Sequence, residues 1–240
     1  MKMSGPKVNV VSYSQPDDWF ASRNFVEGGI PSDTDLVDLV AFCARVSNPT
    51  NQSNTKTNEK LLKYLIKHKH WSPFEMVSAC LEIDTTRDIA RQILRHRSFS
   101  FQEFSQRYAN PEDMGDMFEL REARLQDEKN RQNSIETDDA DLKVDWLYQQ
   151  AKVIQQAKES YAWALEHGIA KEQARAVLPE GLTRSRMYVN GTLRSWIHYI
   201  ELRAANGTQK EHIEIAKACA KVISEIFPLI KLDGDVVGFL

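Results

Sequence analysis

The chain has 240 residues, 42% hydrophobic and 27% charged, which fits one soluble α+β domain spanning 1–240 that can bury a core without disulfide staples. Its 31 basic and 34 acidic side chains leave a net charge of −3, which argues against a nucleic-acid polymer or a membrane surface as partner, since both are held by a basic excess. No apolar run approaches the roughly 20 residues of a membrane span, and Met1 to Pro6 lacks a signal peptide's apolar stretch, so a cytoplasmic location is expected (the host's, for a viral chain).

In chain order, Lys7 to Ser12 reads as a strand, and the Pro/Asp/Gly-containing stretch to Pro31 as surface loop. Leu36, Val37, Leu39, Val40 and Cys43 recur at helical spacing, with Ser32 or Asp33 placed to cap. A polar loop from Asn48 to Thr57 leads to a helix capped by Asn58, carrying Leu61, Leu62, Leu65 and Ile66, and ending near His70. Trp71-Ser72-Pro73 breaks it, because the residue before a proline avoids helical geometry. Met76 to Asp84 alternates apolar and polar residues as a strand does, and Arg87 to Arg95 suits a short helix. A Ser- and aromatic-rich segment follows to Tyr108.

Met117 to Arg124 is expected as a strand and the polar Gln126 to Asp141 as a loop. Leu147, Ala151, Ile154, Ala157, Tyr161 and Leu165 share one face of a long helix from Leu142, closed by Gly168. Shorter elements are expected at Lys171 to Leu178 (helix), Met187 to Val189 (strand) and Leu193 to Ala204 (helix), before a final helix from Thr208 to Phe227. Cys43, Cys80 and Cys219 are isolated among apolar neighbours and read as reduced core residues. His68 and His70 have no third or fourth ligand at metal spacing, so no metal is expected. Arg184, Arg186 and Lys210 read as solvated charge.

The densest chemistry lies between Arg87 and Arg107, where five arginines face only Asp88 and Glu103 within a chain of negative net charge. Clustered arginines suit phosphate, because each planar guanidinium can place two charge-assisted hydrogen bonds on an oxyanion. Arg91 and Arg95 are spaced to share a helical face, and Ser98, Ser100 and Ser105 offer hydroxyls to such a site. The alternative is a solvated helix flank with surface ion pairs.

The order of residues separates these readings. The run Arg95-His96-Arg97, then Ser100, Glu103, Ser105 and Arg107-Tyr108 resembles the central motif of the flavin-dependent thymidylate synthases, with every fixed position filled. Ala44-Arg45-Val46-Ser47, the element His68 to Glu75, Ala90-Arg91-Gln92, Ala174 to Pro179 and Leu202-Arg203-Ala204 resemble further family elements. The resemblance spans roughly residues 42–227.

That resemblance implies an α/β fold with an antiparallel-rich sheet and flanking helices, assembled as a homotetramer with shared active sites. It implies methylation of dUMP to dTMP, with methylenetetrahydrofolate as carbon donor, FAD as hydride carrier and NADPH as reductant. Carried onto this chain, Ser72, Arg95, His96, Arg97, Glu103, Thr192, Arg194 and His198 are the expected FAD contacts. Gln92, Arg95, Glu103, Phe104, Ser105, Gln106, Arg107, Arg175 and Arg203 are the expected dUMP contacts. His70 is expected near flavin and folate, Arg203 as the group that polarises the uracil, and Ser105 as an orienting hydroxyl, since a serine nucleophile needs a base. Thr192 and Gly207 stand where many relatives carry Asn and His. Each of these residues also has a plainer reading: His70 as a helix C-terminal histidine, His198 as core packing beside Trp196, and Arg45 with Ser47 as a helix end. Competing functions are an RNA- or nucleotide-binding module without catalysis, which the overall acidity and Glu103 disfavour, and a different flavin reductase on the same scaffold.

Overall fold

In the computed structural model, residues 7–24, 36–205, 207–233 and 236–239 are described. The first half holds β1 (Lys7–Tyr13), α1 (Asp18–Asn24), α2 (Leu36–Ala44), α3 (Asn58–Lys67), β2 (Ser78–Thr86), α4 (Arg87–Ile93) and β3 (Ser100–Glu103). There follow β4 (Arg124–Gln126), β5 (Ser134–Glu136), α5 (Ala140–Glu166), α6 (Lys171–Ala174), β6 (Arg184–Thr192), α7 (Leu193–Arg203), α8 (Lys210–Ile226), β7 (Ile230–Asp233) and β8 (Val236–Phe239). The main sheet has the order β1-β2-β6-β3 and is antiparallel throughout. The expected mixed α/β fold with an antiparallel-rich sheet and flanking helices is therefore present.

The sheet forms because β2 and β6 alternate. Ala79, Leu81 and Ile83 point into the core and stand opposite Gly191, Val189 and Met187 of β6. On the other face Arg186 donates from Nε and Nη2 to the two oxygens of Asp84, at 2.7 and 2.8 Å. Helices α2, α3, α7 and α8 cover the inner face, where Leu62, Phe74, Trp196, Ile200 and Ile223 are fully or almost fully buried. Burying a side chain of this size contributes about 1.5–3 kcal/mol. Trp196 also donates from Nε1 to the Ala79 carbonyl at 3.0 Å, which fixes α7 to the sheet.

A smaller cluster joins Met117 and Phe118 to one face of α5 through Ile154, Ala157, Tyr161 and Ala164. The Asp139 carboxylate accepts from the Leu142 amide at 2.9 Å and starts α5. At the other end Gly168, at φ 76°, lets the Ile169 amide return to the Ala164 carbonyl. The expected stripe on α5 is only partly buried: Ile154, Ala157 and Tyr161 face inward, whereas Leu147 and Ala151 are exposed and Leu165 is half-buried.

Several expected elements differ. The segment Met117 to Arg124 holds one bridge, Phe118 to Thr183, in place of a strand. Gln150 of α5 takes over the Arg121 backbone, accepting from its amide at 2.7 Å and donating to its carbonyl at 2.9 Å. The expected loop after Gln126 contains a hairpin of β4 and β5, turned by Asp127, which accepts from the amides of Lys129 and Asn130. Part of the expected loop before Pro31 is α1, and the proposed caps Ser32 and Asp33 lie outside the described residues. Asn58 lies inside α3, where its Oδ1 accepts from Arg45 and its Nδ2 donates to Asp38 at 2.6 Å. Arg45 is thus a buried tie between α2 and α3, the plainer of its two readings. Lys171 to Leu178 is split into α6 and a 3-10 turn at Arg175–Val177. Arg184 and Lys210, read as solvated, pair with Glu119 and with Glu122 and Glu136.

Candidate active site

α4 stops at Ile93, and residues 94–99 pass through successive turns closed by the amides of Arg95, His96 and Phe99. Two anchors hold this turn. Ser195 of α7 donates from Oγ to the Ser98 carbonyl at 3.2 Å. The Phe99 ring lies 4.6 Å from the Trp196 ring and over Gly191, where a Cβ would stand 2.3 and 2.5 Å from the Phe99 ring carbons. Only glycine allows the turn to sit this close to β6.

The anchored turn sends His96 inward and Arg95 and Arg97 outward. Both arginine side chains are exposed and have no hydrogen-bonding or ionic partner among the described residues. Arg95 lies past the end of α4 and does not share a helical face with Arg91, which instead pairs with Glu180 at 3.0 Å. Arg203, the last residue of α7, donates from Nε to His96 Nε2 at 2.9 Å. Burial, and then the Arg203 charge, hold the His96 pKa down at about 4. His96 is therefore neutral at pH 7 with its proton on Nδ1, and no partner is found among the described residues for the other Arg203 N–H groups. Gln92, at the end of α4, joins the same neighbourhood through Gln209 and His212.

A second group follows β3. Glu103 accepts from Ser185 Oγ at 2.9 Å, with Arg87 and Arg91 at 3.6 and 3.8 Å. The Phe104 amide closes the strand on the Arg186 carbonyl, and the Ser105 carbonyl accepts from the Tyr108 and Ala109 amides. Ser105 Oγ has no hydrogen-bond partner among the described residues, so none of them is poised as a base to activate it. Gln106 is 2% exposed, yet its Nε2 donor is unsatisfied, which is unusual enough to mark a missing acceptor. Arg107 Nη2 lies 3.4 Å from Glu172 Oε2, and Arg175 Nε donates to the Glu172 carbonyl at 3.3 Å. Both guanidinium groups thus meet Glu172, Arg107 at its exposed carboxylate and Arg175 at its main-chain carbonyl, and the exposed Arg107–Glu172 pair is weak enough for an incoming phosphate to replace.

The third group surrounds the turn after α3. Lys69 takes the left-handed conformation at φ 58°, and the His70 amide returns to the Leu65 carbonyl at 2.8 Å, which ends the helix and leaves His70 exposed. Ser72 opens a 3-10 turn, Ser72–Glu75, whose Glu75 pairs with Arg194. His198 is half-buried, with its ring edge-on to Trp71 at 4.6 Å. Thr192 caps α7 by accepting from the Ser195 amide at 3.3 Å. Gly207 has φ 91°, a conformation that a histidine adopts only under strain.

Within one chain, then, the structure joins Gln92, His96 and Arg203, then Arg107 and Arg175, then Ser72, Arg194 and His198 as neighbours on the α3–β2 turn and α7. No hydrogen bond, ion pair or ring contact among the described residues links the Arg203 group to the Arg107 group. Sequence reading missed Glu172, Glu180, Tyr199, Gln209 and His212. Of these only His212 left a sequence signal: it is a polar residue in phase with Ile215, Ala216 and Cys219 on the buried face of α8.

A dinucleotide is ordinarily held at a parallel strand-turn-helix crossover. This sheet is antiparallel, so the phosphates of a dinucleotide have to be met by side chains, and the unpartnered Arg95 and Arg97 fit that demand. The cysteines offer no competing chemistry. Cys219 is buried, Cys43 and Cys80 are half-buried, not core, and burial raises the pKa of all three thiols.

Comparison with known proteins agrees. The family model described as thymidylate synthase complementing protein matches residues 32–229. A probable flavin-dependent thymidylate synthase of Paramecium bursaria Chlorella virus 1 is 53% identical over 193 residues, covering 80% of this chain and 88% of the relative. The flavin-dependent thymidylate synthase of Synechocystis sp. is 50% identical over 192 residues, covering 80% and 86%. Among solved structures, the UMP/dUMP methylase PolB from Streptomyces cacaoi, bound with 5-Br dUMP, superposes with a TM-score of 0.73 at 25% identity, over 93% of this chain and 91% of that one. With the motif residues gathered as described, the chain belongs to the flavin-dependent thymidylate synthase family.

Proposed function

We propose that the protein converts dUMP to dTMP, with methylenetetrahydrofolate as carbon donor, FAD as cofactor and NADPH as reductant. The observation that carries this reading is the turn at Arg95-His96-Arg97, with two arginines free for phosphates and His96 held neutral against Arg203. FAD, when bound, supplies the hydride that takes the one-carbon unit to the methyl level. In the overall balance the uracil exchanges its C5 hydrogen for a methyl group, and the folate leaves as tetrahydrofolate.

Arg95 and Arg97 hold phosphate oxygens of FAD, with Ser72, Arg194 and His198 along its other portion. Arg107 and Arg175 hold the 5′-phosphate of dUMP, and the unsatisfied Gln106 Nε2 donates to the same nucleotide. As electron density moves onto C5, negative charge grows on the uracil carbonyl oxygens, and Arg203 stabilises it in this reading. Ser105 orients the ring without attacking it. Arg87 and Arg91 are neutralised by Glu103 and Glu180, so the cluster makes discrete phosphate sites and no continuous basic track for a polymer.

We further propose a homotetramer whose sites are shared between subunits. Support comes from α5, which leaves Val144, Tyr148 and Trp163 exposed at 65, 61 and 55% along one helix. The test is a visible spectrum of the purified protein followed by assay for dTMP from dUMP, methylenetetrahydrofolate and NADPH. A yellow protein that forms dTMP is expected; a colourless one that forms none after added FAD contradicts the reading.

A further inference from the structure

Behind Gln92 runs a chain of hydrogen bonds whose directions can be worked out from one end. Glu211 accepts from Arg124 Nη2 at 2.6 Å and faces Arg121 Nη1 at 3.4 Å. Burial alone raises the Glu211 pKa, but the Arg124 hydrogen bond and the Arg121 charge outweigh it, so the group is an ionised carboxylate and only accepts. Gln209 must therefore turn its Nε2 to Glu211 Oε2, at 2.9 Å, and its Oε1 away. Gln92 must then donate from Nε2 to Gln209 Oε1, at 2.9 Å, which leaves Gln92 Oε1 facing His212 Nδ1 at 3.1 Å. His212 Nδ1 carries the proton, and its Nε2 accepts from the Tyr199 hydroxyl at 3.1 Å. Every direction follows from the one before it.

His212 is fully buried, and burial, followed by the charges of Arg203 and His96, keeps it neutral with a pKa of about 3. A neutral imidazole with one N–H and one lone pair satisfies both neighbours at once. An amide nitrogen has two hydrogens, and the second one on Gln92 has no partner among the described residues.

We infer that His212 is a positioning residue that acts through Gln92, locking the carboxamide oxygen inward so that only an N–H is offered to the nucleotide. This rests on the reading above in which Gln92 contacts dUMP. The position then recognises a hydrogen-bond acceptor on the ligand and rejects a donor, because the amide cannot turn over without leaving His212 Nδ1–H or Gln209 Oε1 unpaired in a buried place.

The test uses the FAD-loaded enzyme and three variants, His212→Leu, His212→Asn and Gln92→Ala, with dUMP KM and kcat from steady-state kinetics and dUMP affinity from calorimetry. His212→Leu removes both polar atoms at similar volume and is expected to raise the dUMP KM about tenfold, the weight of one buried hydrogen bond, with kcat and flavin content kept. His212→Asn places an N–H near the Nδ1 position and is expected to restore KM to within about threefold of the parent. In a Gln92→Ala background, His212→Leu is expected to add nothing, since a residue acting only through its neighbour is silent once that neighbour is gone. An unchanged KM in a folded His212→Leu variant, or equal effects in both backgrounds, overturns the role while leaving the function reading intact. Parent enzyme that binds no dUMP overturns both. Should His212→Leu fail to fold, Tyr199→Phe, which frees Nε2 and keeps the ring, is expected to raise KM about threefold; no change there also contradicts the role.

Discussion

Arg203→Ala is expected to lower kcat for dUMP methylation by about 10²–10³-fold, the usual cost of removing one preorganised donor from developing negative charge, while the purified protein stays yellow. The guanidinium is positioned at two points: it ends α7, whose start is fixed by the Thr192 cap and whose middle is pinned by Trp196, and it rests on His96. Loss of the side chain leaves the helix and the His96 turn in place, so folding and flavin binding are expected to survive. The same substitution removes a positive charge that depresses His96, and the imidazole is expected to titrate higher, though still below its ordinary value because burial is the larger cause. Most of the activity retained in Arg203→Ala contradicts the polarising role, and a colourless variant assigns Arg203 to flavin binding instead.

The second large effect concerns Arg95 and Arg97. Changing both to Ala is expected to give a folded but colourless protein, because each charge-assisted hydrogen bond to phosphate contributes about 1.5–3 kcal/mol and two lost together weaken FAD binding at least about a hundredfold. Both side chains are exposed and bond to nothing else in the described chain, so the thermal midpoint of the apoprotein is expected to move little. This separates ligand binding from stability cleanly. A double variant that retains stoichiometric flavin places the cofactor's phosphates elsewhere. A control at Arg186, equally charged but held by both oxygens of Asp84, is expected to leave flavin content unchanged.

How far these residues could be read from the sequence depended on what each signal requires. β2 was legible because Ala79, Leu81 and Ile83 alternate with polar residues over a strand buried on one face. β6 obeys the same alternation, but Arg184 and Arg186 on its outer face hid all except its centre, and the expected strand covered three of nine residues. β3 has four residues on a sheet edge, too few to show a period. Met117 to Arg124 reads as a strand, but Met117 and Phe118 are both buried without the alternation of a strand, and Gln150 takes up the backbone hydrogen bonds of Arg121 beyond them.

The site followed the same rule. Residues packed into one motif, Arg95 to Tyr108, could be recognised by their resemblance to the family's central motif. Their partners could not: Glu172 meets Arg107 from 65 positions away, and His212 meets Gln92 from 120. Such pairings are set by how α6 and α8 pack, and nothing local to those residues specifies them. Composition alone shows one arginine cluster, and the fold divides it into paired residues, Arg87 and Arg91, and Arg95 and Arg97, whose side chains have no partner among the described residues.

In the proposed function, arginines and a bound flavin carry uracil methylation without a thiol. Burial raises the pKa of Cys43, Cys80 and Cys219, so none is poised as a thiolate. The most direct measurement takes a variant with all three cysteines changed to Ala or Ser, loads it with FAD, and quantifies dTMP and the folate product by chromatography. The expected result is dTMP at close to the parental rate with one tetrahydrofolate formed per dTMP; loss of dTMP in the folded, flavin-loaded variant, or dihydrofolate in place of tetrahydrofolate, rules out a thiol-free reaction.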